Sequence, residues 1–287
     1  MSDGEGRRQA SELNKRKSST HRDRINVSVL REELADCIFA RNIVYRPEID
    51  STNTLAKTLG AQGAPEGTLV IAEKQKKGRG RRGRSWHSPG YVNLLFSVLL
   101  RPPIPARQAF VLTMVLAVSA GQAIEELTGL RSMIKWPNDL YVGERKLAGI
   151  LTEFSLQSEG IEYGVLGLGL NVNWEPGEIW GIAPPATSIL VETGMRVDRT
   201  ALLIQLLKSF EKSYGNVKSG EIDSFYRTWN ERSMILGKDV IVSSKGQRIQ
   251  ARAQKIDLDG ALVIVDSEGK EKKIVSADVS IRLAKTR

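Results

Sequence analysis

Between Lys74 and Arg84, seven cations fall within eleven residues, interleaved with Gly78, Gly80 and Gly83. Glycine lets a backbone approach a ligand closely. Successive amide N–H groups in such a loop can form an anion-binding nest, and guanidinium groups add paired contacts to phosphate or carboxylate. The chemistry on offer is neutralisation of a phosphorylated ligand. The three glycines match the spacing of a dinucleotide fingerprint, but that fingerprint opens a helix, whereas this segment runs through Ser85-Trp86-His87 toward an apolar strand. A phosphate-cradling loop outside a Rossmann fold is the expectation, ahead of a nucleic-acid-binding arginine segment or a solvated surface. Trp86 serves equally as a stacking platform for a base or as an anchor beneath the loop. His87 has no acid or nucleophile near it in sequence and receives no catalytic role.

A second group is Lys135-Trp136-Pro137-Asn138-Asp139, followed by Lys146-Leu147-Ala148-Gly149. Buried Lys, Asn and Asp each need a partner, because burying a bare charge is costly. A ligand with phosphates, a metal and a purine edge would satisfy all three: Asn pairs with an adenine edge, and Asp holds Mg²⁺ beside phosphates. The structural alternative is a turn set by Pro137 and capped by Asp139. Asn171, closing Gly-Leu-Gly-Leu-Asn, either joins that site or simply ends its strand.

The 42 basic and 33 acidic residues leave a net charge of +9, which favours anionic partners without choosing among them. The lone Cys37 excludes an internal disulfide and a multi-thiolate zinc site, and His21 and His87 are too few for a histidine-rich metal centre. Catalysis must therefore rest on Lys, Arg, Asp, Asn and backbone amides. The polar N-terminus shows no secretory h-region, and the apolar stretch from Ala109 to Ile124 is short for a membrane span, so a cytoplasmic protein with a buried core helix is expected.

The elements that must position these residues follow from periodicity. Residues 1–24 are polar and charged and predict a disordered basic tail. Helical spacing marks 25–40, and strands are predicted at Asn42–Asp50, Gly67–Gln75 and Val92–Pro102. Asp50-Ser51-Thr52-Asn53 offers N-cap candidates for a short helix. A core helix is expected from Ala106 to about Leu127, then strand–turn–strand from Met133 to Ser155 with its turn at Gly143 and Glu144. Another strand ends at the asparagines after Leu170, and helices at about Arg199–Ser219 and Ile222–Glu231 close a domain spanning 25–234. From 235 to 287, five short alternating runs separated by turns suggest a small closed β-barrel.

Gly78–Pro89, Lys135–Glu153 and Gly167–Asn173, preceded by Asp50–Asn53, resemble the biotin protein ligases, over roughly residues 40 to 285. The resemblance implies an α+β fold: a central mixed β-sheet with flanking helices of the class II synthetase-like biotin/lipoate ligase type, plus a C-terminal SH3-like β-barrel. It implies ATP-dependent activation of biotin as biotinyl-5′-AMP and transfer to one lysine of a biotin carboxyl carrier domain of a carboxylase, with biotin and ATP as substrates and Mg²⁺ as cofactor. By the same resemblance Ser51, Thr52 and Asn53 line the biotin pocket. Gln75, Gly78, Arg79, Gly80 and Arg81 form the loop that binds biotin and folds over the adenylate, and Lys146 and Gly149 lie near the biotin carboxylate. Arg84, Trp86, Lys135, Asn138 and Asn171 bind the nucleotide, and Asp139 serves as metal ligand or base. Lys146, Arg81, Lys135 and Asp139 form the catalytic set.

Family members that double as repressors carry a winged helix-turn-helix of some sixty residues; here fewer than fifty precede Asp50-Ser51-Thr52-Asn53, so a monofunctional type without DNA binding is expected. Sheet edges would allow a homodimer. The rival expectations are a lipoate or octanoate ligase of the same fold, whose substrate lacks a ureido group and wants an apolar slot, a basic nucleic-acid-binding protein, and a non-catalytic biotin-responsive regulator.

Overall fold

A computed structural model describes residues 24–158, 160–176, 185–244, 247–257, 259–275 and 279–283. The expected tail, 1–24, lies outside them but for Arg24.

The chain builds a seven-stranded sheet in the order β1-β2-β3-β7-β6-β5-β4. The strands are β1 (Ile43–Ile49), β2 (Leu69–Gln75), β3 (Leu94–Leu100), β4 (Met133–Lys135), β5 (Asp139–Val142), β6 (Arg145–Gln157) and β7 (Gly160–Leu170). β1 and β2 run parallel and the other neighbours antiparallel, so the sheet is mixed as expected. The helices are α1 (Val27–Glu33), α2 (Thr52–Ala61), α3 (Phe110–Thr128), α4 (Ile189–Thr193), α5 (Arg199–Ser219) and α6 (Asp223–Arg232).

Strand alternation sorts side chains between two faces. Leu94, Phe96, Val98 and Leu100 join Leu166, Leu168 and Leu170 in the main core under α3 and α5. The opposite face carries a smaller cluster around Ala56, Val70, Leu99, Tyr163 and Val165 beneath α2. Helix α3 is apolar nearly all round because it is enclosed nearly all round. Ala106–Thr128 is long and apolar enough to cross a membrane, but most of it is buried inside the protein.

One buried ion pair pins α5 to the sheet. Arg199 Nη1 lies 2.8 Å from Glu73 Oε2, and both side chains are almost fully buried. The other Glu73 oxygen accepts hydrogen bonds from Ile25 N–H and the Tyr45 hydroxyl. Burial, then the Glu73 charge, push the Tyr45 phenol well above its usual range, so it stays a donor.

Three expectations change. The 25–40 helix is two pieces, α1 and a 3₁₀ turn at Ile38–Ala40. The segment from Met133 holds three strands, because Trp136-Pro137-Asn138 makes a turn of its own and Pro137 cannot donate to a ladder. The C-terminal strands β8 (Asp239–Ser244), β9 (Gln247–Ile256), β10 (Leu262–Asp266), β11 (Glu271–Ile274) and β12 (Val279–Leu283) appear where alternation placed them. They form an open antiparallel sheet in the order β11-β10-β9-β8-β12. Among the described residues no pairing joins edges β11 and β12, which corrects the closed barrel: five short strands make the ladders but do not meet round the ring.

A cationic cavity on the glycine face of the sheet

Two rows across the sheet build the site. One runs Leu95, Gly169, Gly149, Asp139 and the other Ser97, Gly167, Leu151. The glycines leave a trough on the face that also carries α2. A Cβ on Gly167 would stand 1.8 Å from Asn53 Oδ1, and one on Gly169 would stand 2.5 Å from Trp86 Cε2. Neither approach survives a side chain, so these glycines are required by contact. The trough opens into a cavity of about 650 Å³.

Every candidate from the sequence except Gly78 lines that cavity, including Lys146 and Arg81 together. Gly78 lies behind it: its carbonyl accepts from Trp86 N–H at 2.8 Å, and a Cβ there would meet the Trp86 carbonyl at 2.3 Å.

At one end Ser51, Thr52 and Asn53 enter α2. Ser51 occupies the N-cap position without a side-chain cap, which frees its hydroxyl from the helix. Gln75 Oε1 accepts from Thr52 N–H at 2.7 Å and from its hydroxyl at 3.1 Å. Ser97 Oγ lies 2.8 Å from Thr52 Oγ1 and 2.7 Å from Asn53 Oδ1. This end is a connected array of amides and hydroxyls.

Toward the other end, Lys146 Nζ stands 2.8 Å from Asp139 Oδ1, in charge contact rather than an aligned hydrogen bond, and 5.6 Å from the centre of the Trp86 ring. Lys135 Nζ lies 4.9 Å from the centre of the Tyr141 ring. Both lysines thus sit over aromatic faces, an arrangement that favours a cation. Trp86 seats its indole over Gly149 and Gly169 while still lining the cavity, so it anchors and lines at once. Asn138 donates to Ile150 O at 2.5 Å and accepts from Arg81 at 3.2 Å. Burial lowers the pKa of Arg81 although Asp139 opposes it, and burial followed by Asp139 raises Tyr141. Asn171 donates to Thr187 O at 2.9 Å, which turns it inward at the end of β7.

The seven cations of the basic segment do not act alike. Lys74 and Lys76 pair with Glu48 and Lys77 pairs with Asp50, all three away from the cavity wall. Arg79, Arg81, Arg82 and Arg84 line the cavity. Sequence reading missed Ser97, Gly167, Gly169, Tyr141 and Trp174 as part of the site. The signals were present for three of them: Ser97 is the lone polar residue in an apolar strand, and Gly167 and Gly169 alternate on one face.

Asp139 is the sole carboxylate among the described residues lining the cavity, and the described residues hold no cluster of three or more His, Cys, Asp or Glu able to cage a metal. One carboxylate plus substrate phosphates is a donor set that Mg²⁺ commonly takes, so Asp139 fits that role with a nucleotide present.

Residues 45–171 match the model of the biotin/lipoate A/B protein ligase family, and 235–282 match the biotin protein ligase C-terminal domain. The chain is 33% identical over 259 residues to the bifunctional ligase/repressor BirA of Bacillus subtilis, covering 90% of this chain and 79% of that protein. It is 32% identical to the biotin–[acetyl-CoA-carboxylase] ligase of Paracoccus denitrificans, covering 77% of this chain and 93% of the relative. Among solved structures, biotin protein ligase from Aquifex aeolicus in complex with biotin and ATP superposes with a TM-score of 0.72 at 30% identity, over 85% of this chain and all of the other.

Proposed function

The chain belongs to the biotin protein ligase family, and from that premise we propose how its cavity activates biotin with ATP and transfers it to a lysine of a biotin carboxyl carrier domain. The observation that carries the reading is that Lys146, Lys135, Arg81 and Arg84 line one cavity with the hydroxyl-and-amide array of Ser51, Thr52, Asn53 and Gln75.

The reaction has two steps. A biotin carboxylate oxygen bonds to the ATP α-phosphorus while the bond to the bridging oxygen breaks, releasing pyrophosphate and leaving biotinyl-5′-AMP. The acceptor ε-amine then bonds to the acyl carbon, AMP leaves, and the amine loses a proton. Both reactants of the first step are anions. Preorganised cations lower that repulsion without reorganising during the step, and in a water-poor site their effect is large. Lys146 and Arg81 flank the biotin carboxylate in this reading. Lys135, Arg84, Asn138 and Asn171 hold the nucleotide, with Trp86 against its base. Asp139 would hold Mg²⁺, which when bound neutralises phosphate charge.

Thr52, Asn53 and Gln75 give the ureido ring donors and acceptors, Arg79, Gly80 and Gly149 present backbone to the ligand, and Gly78 supports the loop from behind through its bond to Trp86. A lipoyl tail would leave the polar end of the cavity unmatched, which is costly for buried polar groups, so biotin is favoured over lipoate. The division near residue 234 into a ligase domain and a C-terminal domain belongs to this proposal, as does a cytoplasmic setting, where ATP and the carboxylase are at hand. Incubation with MgATP, a carrier domain and either biotin or lipoate tests it. A biotin-sized mass gain on one carrier lysine is expected; a gain with lipoate alone, or none, would overturn the reading.

A further inference from the structure

Residues 78–86 form a small hairpin of their own. Trp86 N–H donates to Gly78 O, Arg79 bridges Ser85, and Gly80 N–H donates to Arg84 O at 2.7 Å. Its tip reaches the far wall of the cavity, where Arg81 donates to Asn138 at 3.2 Å. The base of the hairpin needs a counterpart on the sheet, and Glu153 provides one.

Glu153 lies on β6 outside the cavity wall, with its side chain 18% exposed. Arg79 Nη2 stands 3.3 Å from Oε1, and Nη1 donates to Oε2 at 3.4 Å. The same carboxylate accepts from Asn53 Nδ2 at 3.1 Å and from Lys57 Nζ at 3.0 Å. One side chain thus ties the hairpin, the pocket wall and α2 together.

We propose that Glu153 is a positioning residue that fastens the 78–86 hairpin across the cavity through Arg79, while setting the wall residue Asn53 with the same carboxylate. The proposal rests on the biotin-ligase reading for its catalytic consequence, but the fastening itself does not. A half-buried acid meeting a guanidinium and an ammonium is less screened than a surface pair, so its loss should be felt at the loop it holds.

The test uses the full chain as wild type, Glu153→Gln, Arg79→Gln and Lys57→Met. Without ligands, limited trypsin digestion read by mass spectrometry reports cutting at Arg81, Arg82 and Arg84, the hairpin sites that all four chains share. Glu153→Gln and Arg79→Gln are expected to be cut at least about 5-fold faster than wild type, while Lys57→Met, which leaves the Arg79 contact in place, stays at the wild-type rate. In turnover, Glu153→Gln should raise the KM for biotin by roughly 5-fold and leave the KM for ATP within about twofold. Cutting of Glu153→Gln at the wild-type rate, or equal acceleration in Lys57→Met, would overturn the proposal. If Glu153→Gln fails to fold, Arg79→Gln carries the comparison, since its side chain is about half exposed. Separated cutting rates with no consumption of biotin and ATP by any chain would support the fastening and overturn the biotin-ligase reading instead.

Discussion

Lys146 and Asp139 come from adjacent strands, and their Nζ and Oδ1 atoms stand 2.8 Å apart at a cavity lined also by Arg81. The lysine is therefore held by a carboxylate while a further anion can approach from the cavity side. This makes Lys146 the cation whose removal should hurt the meeting of two anions most. Lys146→Ala is expected to slow biotinyl-adenylate formation by about 100-fold, within the range for losing one preorganised electrostatic contact. Transfer from pre-made adenylate should fall by less than about 10-fold. Single-turnover measurement of each half-reaction separates the two, and equal losses would remove Lys146 from the activation step.

Arg81 is partly buried at the hairpin tip and donates to Asn138 across the cavity. Excluding water protects a labile mixed anhydride, and loop closure commonly supplies that exclusion. Arg81→Gly should still make adenylate but let it escape, so bystander proteins acquire biotin on scattered lysines about 10-fold more than with wild type. Streptavidin blotting of a mixture of unrelated proteins checks this; labelling at the wild-type level would count against the hairpin as a lid.

The Trp86 indole needs the bare backbone of Gly169 beneath it, where an added Cβ would meet ring atoms at 2.5 and 2.7 Å. Gly169→Ala should displace the ring, raise the KM for ATP at least about 5-fold and destabilise the protein by roughly 1–3 kcal/mol, the usual cost of overpacking. The contrast is Gly143→Ala, whose built Cβ meets nothing within 4 Å. That position has positive φ, so some stability should be lost there without the ATP effect. Steady-state kinetics with thermal unfolding distinguishes them.

Burial would raise the Glu153 carboxyl, but hydrogen bonds from Asn53 and Lys57 and the charge of Arg79 outweigh it, leaving its pKa below the ordinary value. A depressed carboxyl contributes stability that is complete above the unfolded pKa, about 4.3, and lost as pH falls through the folded value. The stability difference between wild type and Glu153→Gln should therefore be flat from pH 6 to 8 and shrink below about pH 4.3. Denaturant titrations across that range measure it; a difference that grew on acidification would contradict the assigned charge network.

The buried pair Arg199–Glu73 gives a stability prediction remote from the cavity. Glu73→Gln leaves a guanidinium buried without its counter-charge, which typically costs about 3–5 kcal/mol, read as a lowered denaturant midpoint. A change below about 1 kcal/mol would show that the pair is not structural.

The sequence by itself determined the chemistry and most of the elements. Apolar runs marked the strands of the main sheet, two-residue alternation marked those of the C-terminal sheet, and the basic glycine segment with Lys135–Gly149 announced anion handling, because each of these is a local pattern of residue types. Tertiary structure alone decided how those residues are shared out. The acids that neutralise Lys74, Lys76 and Lys77 come from the end of β1 and the turn after it, the one that holds Arg79 comes from β6, and only the paired sheet brings them to the loop. The same holds for Trp86, whose seat is two glycines twenty residues apart on neighbouring strands, and for Trp136, whose indole N–H donates to Gly260 O of the C-terminal region at 3.0 Å. Charge pairing and close packing depend on distance in space, and strand register rather than chain spacing sets that distance.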